Sequence, residues 1–280
     1  MQSRNLLNIL LLLAVTGLSA TVWFVHQDKT EIHYLSSLDA TQVNRIVIPR
    51  EQGEIVLTRQ AGHWNMEKPY ALPAHEFRVQ SLLGLLQTPV SQSYAAEELD
   101  LAQFDLNPPR ARILFNDQEI RFGKSSPVSN QRYVLHANRI YLLDDRLYPL
   151  ISAEAASLIN LSPLPEPALI EKIILPDLTL QKDAGNNWHD ANGNIIAADT
   201  AQQLLENWRD AIAFGAHAYM ERTDAKPVTI ESKNKMMLQF LASQENDWLI
   251  LGRPDAGVEY HFDAQYRDKL LVLPTARTGH

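Results

Sequence analysis

The second half of this chain restates the first, and that repetition limits the folds open to it. Arg45-Ile46-Val47-Ile48-Pro49 returns as Lys172-Ile173-Ile174-Leu175-Pro176. Ile55-Val56-Leu57-Thr58-Arg59-Gln60-Ala61-Gly62, just ahead of Trp64, returns as Leu178-Thr179-Leu180-Gln181-Lys182-Asp183-Ala184-Gly185, just ahead of Trp188. Two copies are too few to propagate as a solenoid, so the pattern predicts two similar domains packed together. With 280 residues, 45% of them hydrophobic, each half can bury a core of its own.

Ahead of the repeats, residues 6–25 carry no charge. About 20 apolar residues rising about 1.5 Å each span a ~30 Å hydrocarbon layer. Asn8 is the one strongly polar intruder, and Trp23 stands at the far end, where an aromatic belt belongs. Arg4 precedes the segment while Asp28 and Glu31 follow it, so the N-terminus is expected in the cytoplasm and the rest outside. A cleaved signal peptide is the competing reading. Leu18-Ser19-Ala20 is a poor cleavage site, and cutting there would leave Thr-Val-Trp-Phe-Val as an apolar start, so the anchor is preferred. Either way the bulk is exported. The expected location is a bacterial inner membrane, single-pass, with periplasmic C-terminal domains.

The expected layout is a cytoplasmic N-terminus (1–5), a transmembrane anchor (6–25) and a connector (26–42) with one helical turn around Leu35 and Leu38. A first α+β repeat (43–161), a Pro-rich linker (162–169), a second α+β repeat (170–274) and a tail (275–280) follow. In the first repeat, 45–48 and 54–58 are β-rich, joined at Gln52-Gly53, and Gly62-His63-Trp64 ends the second run. Ala74-His75-Glu76 opens a helix with Phe77, Leu82, Leu83 and Leu86 at helical spacing, stopped by Pro89. Runs at 111–115, 119–122, 132–135 and 140–143, with Asn116-Asp117 and Ala137-Asn138 as hairpin turns, predict antiparallel strands. Ser162-Pro163-Leu164-Pro165-Glu166-Pro167 reads as a semi-rigid spacer. The order then restarts, with a helix presenting Ala201, Leu204, Leu205, Trp208 and Ile212, and Tyr266 to Leu271 matching Arg146 to Ile151 as a closing helix. The fold class is α+β: two similar tandem domains, each an antiparallel sheet with one main packing helix, behind an N-terminal transmembrane helix.

Lys and Arg number 25 against 33 Asp and Glu, and such a surface repels phosphate backbones, so no nucleic-acid partner is expected. The absence of cysteine excludes disulfides, thiolate metal sites, a Cys nucleophile and a lipidated Cys.

Leu99-Asp100-Leu101-Ala102-Gln103-Phe104-Asp105-Leu106-Asn107-Pro108-Pro109 is the most distinctive stretch. With the Trp after the second strand, Val79-Gln80-Ser81-Leu82-Leu83, Phe122-Gly123 and Arg132-Tyr133-Val134, it resembles the bacterial domain of unknown function 4340 family. The resemblance covers 46–151 well and 173–272 more loosely, as two tandem copies. The second copy carries Glu221-Arg222-Thr223-Asp224 where a Phe-Gly-Leu-type segment would stand before its third strand. The resemblance implies a membrane-anchored extracytoplasmic protein, associated with ABC-type exporters, and supplies no catalytic residues.

Nine histidines invite a metal reading, but none falls in His-x-x-x-His spacing, and no metal or other cofactor is expected. Glu97-Glu98-Asp100 and Asp144-Asp145 read as solvated turn acids, Gly123-Lys124-Ser125 as a hairpin turn, and Asp190-Ala191-Asn192-Gly193-Asn194 as a tight turn lacking the closing acid of a calcium loop. There is no Gly-x-Ser-x-Gly elbow. Trp64 and Trp188 are either core aromatics or a repeated pair of stacking platforms, and repetition favours the core. With His63 and His189 they form the candidate partner or ligand surface. The expected function is a non-enzymatic accessory protein, a binding or assembly subunit of an envelope or ABC-type transport complex with a protein partner in the membrane or envelope. The alternative is a periplasmic glycan- or peptide-binding module or hydrolase using the cleft between the repeats.

Overall fold

The computed structural model describes Thr16, residues 33–233 (Leu147 by its backbone alone) and residues 235–274. Among these no helix is long and apolar enough to cross a membrane, and the expected anchor and tail lie outside them. Among the described residues of 33–274 the fold is mostly antiparallel sheet with four α-helices, an α+β arrangement.

Strands are numbered along the chain. After β1 (His33–Tyr34) come β2 (Arg45–Arg50), β3 (Gly53–Gln60), β4 (His63–Lys68) and β5 (Leu72–Pro73), then helix α1 (Glu76–Leu83). Next are β6 (Pro89–Val90), which pairs with β1, then β7 (Ser93–Ala95), β8 (Ala111–Phe115), β9 (Gln118–Ser125), β10 (Gln131–His136), β11 (Arg139–Asp144) and α2 (Tyr148–Ser152). The second half supplies β12 (Ile170–Leu175), β13 (Leu178–Lys182), β14 (Trp188–His189), β15 (Ile195–Ile196), α3 (Ala198–Arg209) and β16 (Gly215–Ala218). It closes with β17 (Lys226–Ser232), β18 (Met237–Glu245), β19 (Trp248–Arg253), β20 (Val258–Asp263) and α4 (Gln265–Leu271).

Two nine-stranded sheets result, in the orders β5-β4-β3-β2-β8-β9-β10-β11-β7 and β15-β14-β13-β12-β17-β18-β19-β20-β16. Strand for strand, the orders coincide. Four strands of each nine-stranded sheet precede its main helix rather than the expected two. The reason in the first sheet is the Ala61-Gly62 turn, where φ is 50° and 89°. Two left-handed residues reverse the chain, so Gln60 pairs with His63 and Trp64 opens a new strand instead of ending the old one.

Alternation sets the inner faces. Ile46 opposite Leu57 and Ile48 opposite Ile55 are buried, as are Ile173 and Leu180 in the second sheet. Helix α3 buries Ala201, Leu204, Leu205 and Trp208, an i, i+3, i+4, i+7 stripe. The Trp208 indole N–H donates to the Leu270 carbonyl at 2.8 Å, tying α3 to α4. Two residues expected on these stripes are exposed. Phe77 lies at the solvent side of α1, where Val79, Leu82 and Leu83 face inward, and Ile212 falls beyond the end of α3.

The 162–169 segment is not a free spacer. Leu164 is buried in a core that runs through both sheets, and Ile159 bridges Ala74 at the β5 edge. On the other side the Ala213 N–H donates to the Leu161 carbonyl, just before β16. Residues 158–161 thus stitch one edge of each sheet. The described part of the connector also belongs to the fold, because Leu35 is buried and its N–H donates to the Thr88 carbonyl.

The outer faces differ. In the first sheet the 99–109 stretch lays Leu101, Phe104 and Leu106 over Tyr133, Leu135 and Ile140, making a second small core. Gly123, expected in a turn, lies inside β9 under this cover, and a Cβ there would collide with the Phe104 carbonyl. Gly123→Ala should therefore cost about 1–3 kcal/mol by overpacking. Gly84→Ala, in right-handed backbone with open space around it, should be neutral or stabilise by about 0.4–1 kcal/mol. Denaturant midpoints of the two variants would check both.

Candidate functional site

The expected surface residues sit in β4 and β14, each pair within its own sheet. Trp64 is 1% and Trp188 7% exposed, so neither indole offers a stacking platform; both plug the core. The Trp64 ring nitrogen has no partner there. His63 is exposed, 3.9 Å from Glu76, whose carboxylate accepts the Trp64 backbone N–H. His189 Nε2 lies 2.8 Å from Asp183 Oδ2. That contact raises the His189 imidazole from its usual value and, with the Asn187 N–H, holds Asp183 at about 2. Asp190 accepts from the N–H groups of Asn192 and Asn194, confirming a tight turn.

A more unusual constellation lies on the outer face of the second sheet. Register explains its origin: Leu135 opposite Ile140 occupies the same place in β10–β11 as Gly252 opposite Glu259 in β19–β20. Where the first sheet buries two aliphatic side chains, the second buries a carboxylate 1% exposed. Such a group must be paired. Arg222 clasps it with two bonds, Nη1 to Oε2 at 2.6 Å and Nη2 to Oε1 at 3.0 Å, while the Met220 N–H donates at 3.0 Å. Tyr219 covers Gly252, where an added Cβ would sit 2.7 Å from its ring. Burial works to raise the Glu259 carboxyl, but the bonds from Arg222, His261 and Met220 outweigh it and hold it below its ordinary value.

His261, two residues along the same strand face, is the third partner, with Nε2 at 2.8 Å from Glu259 Oε1. A carboxylate only accepts, so the proton is on Nε2. Nδ1 is buried without a partner. Around the ring stand His217, Trp248 and Phe214, with centroids at 4.6, 5.8 and 6.3 Å. Phe214 meets Trp248 edge-on at 5.4 Å, and the two remain 49% and 42% exposed. Glu154, from the segment before the stitch, reaches His217 Nδ1 at 3.7 Å. The patch thus lies where the two halves of the chain meet.

Neither ring nitrogen of His261 touches a hydroxyl or amine, so this is no nucleophile–base pair. Among the described residues no three His, Asp or Glu side chains cluster as a metal site. What the arrangement does is hold two half-exposed aromatic rings beside an ionic network. The sequence carried a partial signal for it: Glu259 and His261 at strand spacing, and Glu221-Arg222-Thr223-Asp224 where the first half is apolar. Pairing Arg222 with Glu259 across 37 residues had no sequence signature.

Fold and site together define an α+β protein of two like-ordered antiparallel sheets with an aromatic patch at their junction. The chain belongs to the family described as Domain of unknown function (DUF4340), whose match takes in residues 64–233, more than half its length. That match begins in β4, crosses the prolines and ends just past β17, so it is a single span across both sheets rather than one match per sheet. No curated protein and no solved structure matches the chain.

Arg222→Ala should destabilise the protein by about 3–5 kcal/mol, because it leaves a buried carboxylate unpaired. Since the folded pKa of Glu259 is lowered from 4.5, its contribution is complete above that value and is lost as pH falls through the folded value. Thermal melts between neutral and acid pH should show Glu259→Gln losing less stability on acidification than the parent.

Proposed function

We propose that this chain is a membrane-tethered extracytoplasmic accessory protein, a non-enzymatic binding subunit of an envelope or ABC-type transport complex. In this reading residues 6–25 are an uncleaved anchor, and the two sheets are tandem copies of one unit. The coincident strand orders support the duplication. The observation that carries the function is the Phe214–Trp248 pair: half-exposed aromatics braced edge-to-face on a buried Arg222–Glu259–His261 network. Rigid aromatics of this kind are what dominate protein–protein interfaces, because they bury large area with little side-chain entropy to lose. A peptide- or glycan-binding role at the junction is the second reading, favoured by Glu154 meeting His217 from the other half of the chain.

The test is photo-crosslinking in cells, using full-length tagged protein with a benzophenone side chain at position 214 or 248. A protein partner should be trapped from both positions and not from position 128, whose valine is more accessible still, at 91% exposure. The Phe214→Ala/Trp248→Ala protein should lose that partner while melting like the parent. The purified protein should retain its N-terminal residues by intact mass. No trapped partner, or the same yield from position 128, would defeat the reading.

A further inference from the structure

The two sheets treat one matching position in opposite ways. In the first, Arg132, 7% exposed, plugs the space beside α2. Its guanidinium donates to Asp145 (Nε to Oδ1 2.6 Å, Nη2 to Oδ2 3.0 Å), to Ser125 Oγ at 3.0 Å and to the Gly123 carbonyl. It also stacks 3.6 Å over the Tyr148 ring, which packs on Phe122. A residual hole of about 20 Å³ is left.

Register transfers these positions to the second sheet. Arg132 opposite Leu143 corresponds to Leu249 opposite Phe262, and Phe122 opposite Val134 to Ala242 opposite Leu251. Counting on from Asp144 and Asp263, which pair alike, Asp145 becomes Ala264 and Tyr148 becomes Arg267. The guanidinium, its carboxylate and two rings are gone together. A cavity of about 210 Å³ stands in their place, ten times the hole in the first sheet. It is a cleft open to solvent, with Asp224, Lys226, Arg267 and Val272 at its exposed rim and Leu249 and Ala242 at its buried floor.

The lining states the ligand chemistry. Leu249, Leu271 and Val272 make one apolar wall. Lys226 and Arg267 bring cationic groups, Asp177 and Asp224 anionic ones. No side-chain ion pair or hydrogen bond joins any of these four to another described residue. Opposite charges that share a cavity without closing on each other leave room for a ligand carrying both signs. The volume falls below the ~300–1,000 Å³ of pockets for drug-sized ligands.

We propose that this cavity is a binding site for a zwitterionic α-amino acid with an aliphatic side chain. Arg267 and Lys226 take the carboxylate, the aspartates take the ammonium, and the side chain lies on Leu249 and Leu271. The site is separate from the junction patch, so its fate does not depend on the partner-binding reading.

The experiment is titration of full-length detergent-solubilised protein with leucine, N-acetylleucine and leucinamide, followed by thermal shift and calorimetry. Leucine should bind saturably in the micromolar to millimolar range. Both blocked derivatives, each lacking one charge, should bind at least tenfold more weakly. Arg267→Gln, a surface change, should weaken leucine at least tenfold, Leu249→Trp should fill the cleft and abolish binding, and Val128→Ala, in neither site, should leave it unchanged. Absence of leucine binding, equal binding of all three compounds, or binding that survives Arg267→Gln would overturn the proposal.

Discussion

A broad antiparallel sheet has two faces to shield, and the main helix attached to each sheet here covers one of them. The other face sets the character of each half. At β9–β11 the chain folds its own 99–109 stretch over Leu135 and Ile140, an apolar seal that needs no further partner. At β18–β20 the corresponding stretch is shorter and polar, and Gly252 and Glu259 replace the aliphatic pair. The second sheet therefore closes its outer face with Tyr219 and the Arg222 clasp. A buried ionic seal is geometrically demanding, because every lone pair and N–H must be met. It is in meeting that demand that His261, His217, Trp248 and Phe214 come to share one patch.

The same contrast recurs on the inner side. Arg132, Phe122 and Tyr148 fill their space in the first sheet, and Leu249, Ala242 and Arg267 leave theirs open. In both places the first sheet is self-sufficient and the second presents groups to the outside. Residues 158–161 hold the halves together by adding to the β5 edge while meeting the entry to β16. That protects two strand edges that would otherwise offer unpaired backbone. It also brings Glu154 beside His217, so the patch takes residues from both halves.

Much of the fold was legible in the sequence. Two-residue alternation located the inner strands, Asn116-Asp117 and Ala137-Asn138 marked their hairpins, and the restatement of residues 45–62 at 172–185 foretold two sheets built alike. The short strands β5, β7, β15 and β16 escaped notice because two to four residues carry too little period to read. Phe77 misled the helix reading, since apolarity at helical spacing does not say which stripe faces inward when two nearly fit. Of the candidate site, Trp64 and Trp188 were visible as repeated aromatics, and their burial follows from that repetition. Trp248 is half-exposed and Tyr260 buried, a difference that no local pattern distinguishes.

By itself the sequence determined what local chemistry determines: strand periodicity, turn positions, the apolar stripe of α3, the acidic balance and the uncharged 6–25 segment. Membership of the DUF4340 family followed from the same local patterns. Tertiary structure alone decided which charges meet and which spaces stay open. Arg222 and Glu259 are far apart along the chain, and the cleft beside Leu249 opens where Leu249 and Ala242 stand in the register positions of the bulkier Arg132 and Phe122. Pairings and voids of that kind are properties of facing surfaces, set only once strand register has fixed which side chains are neighbours.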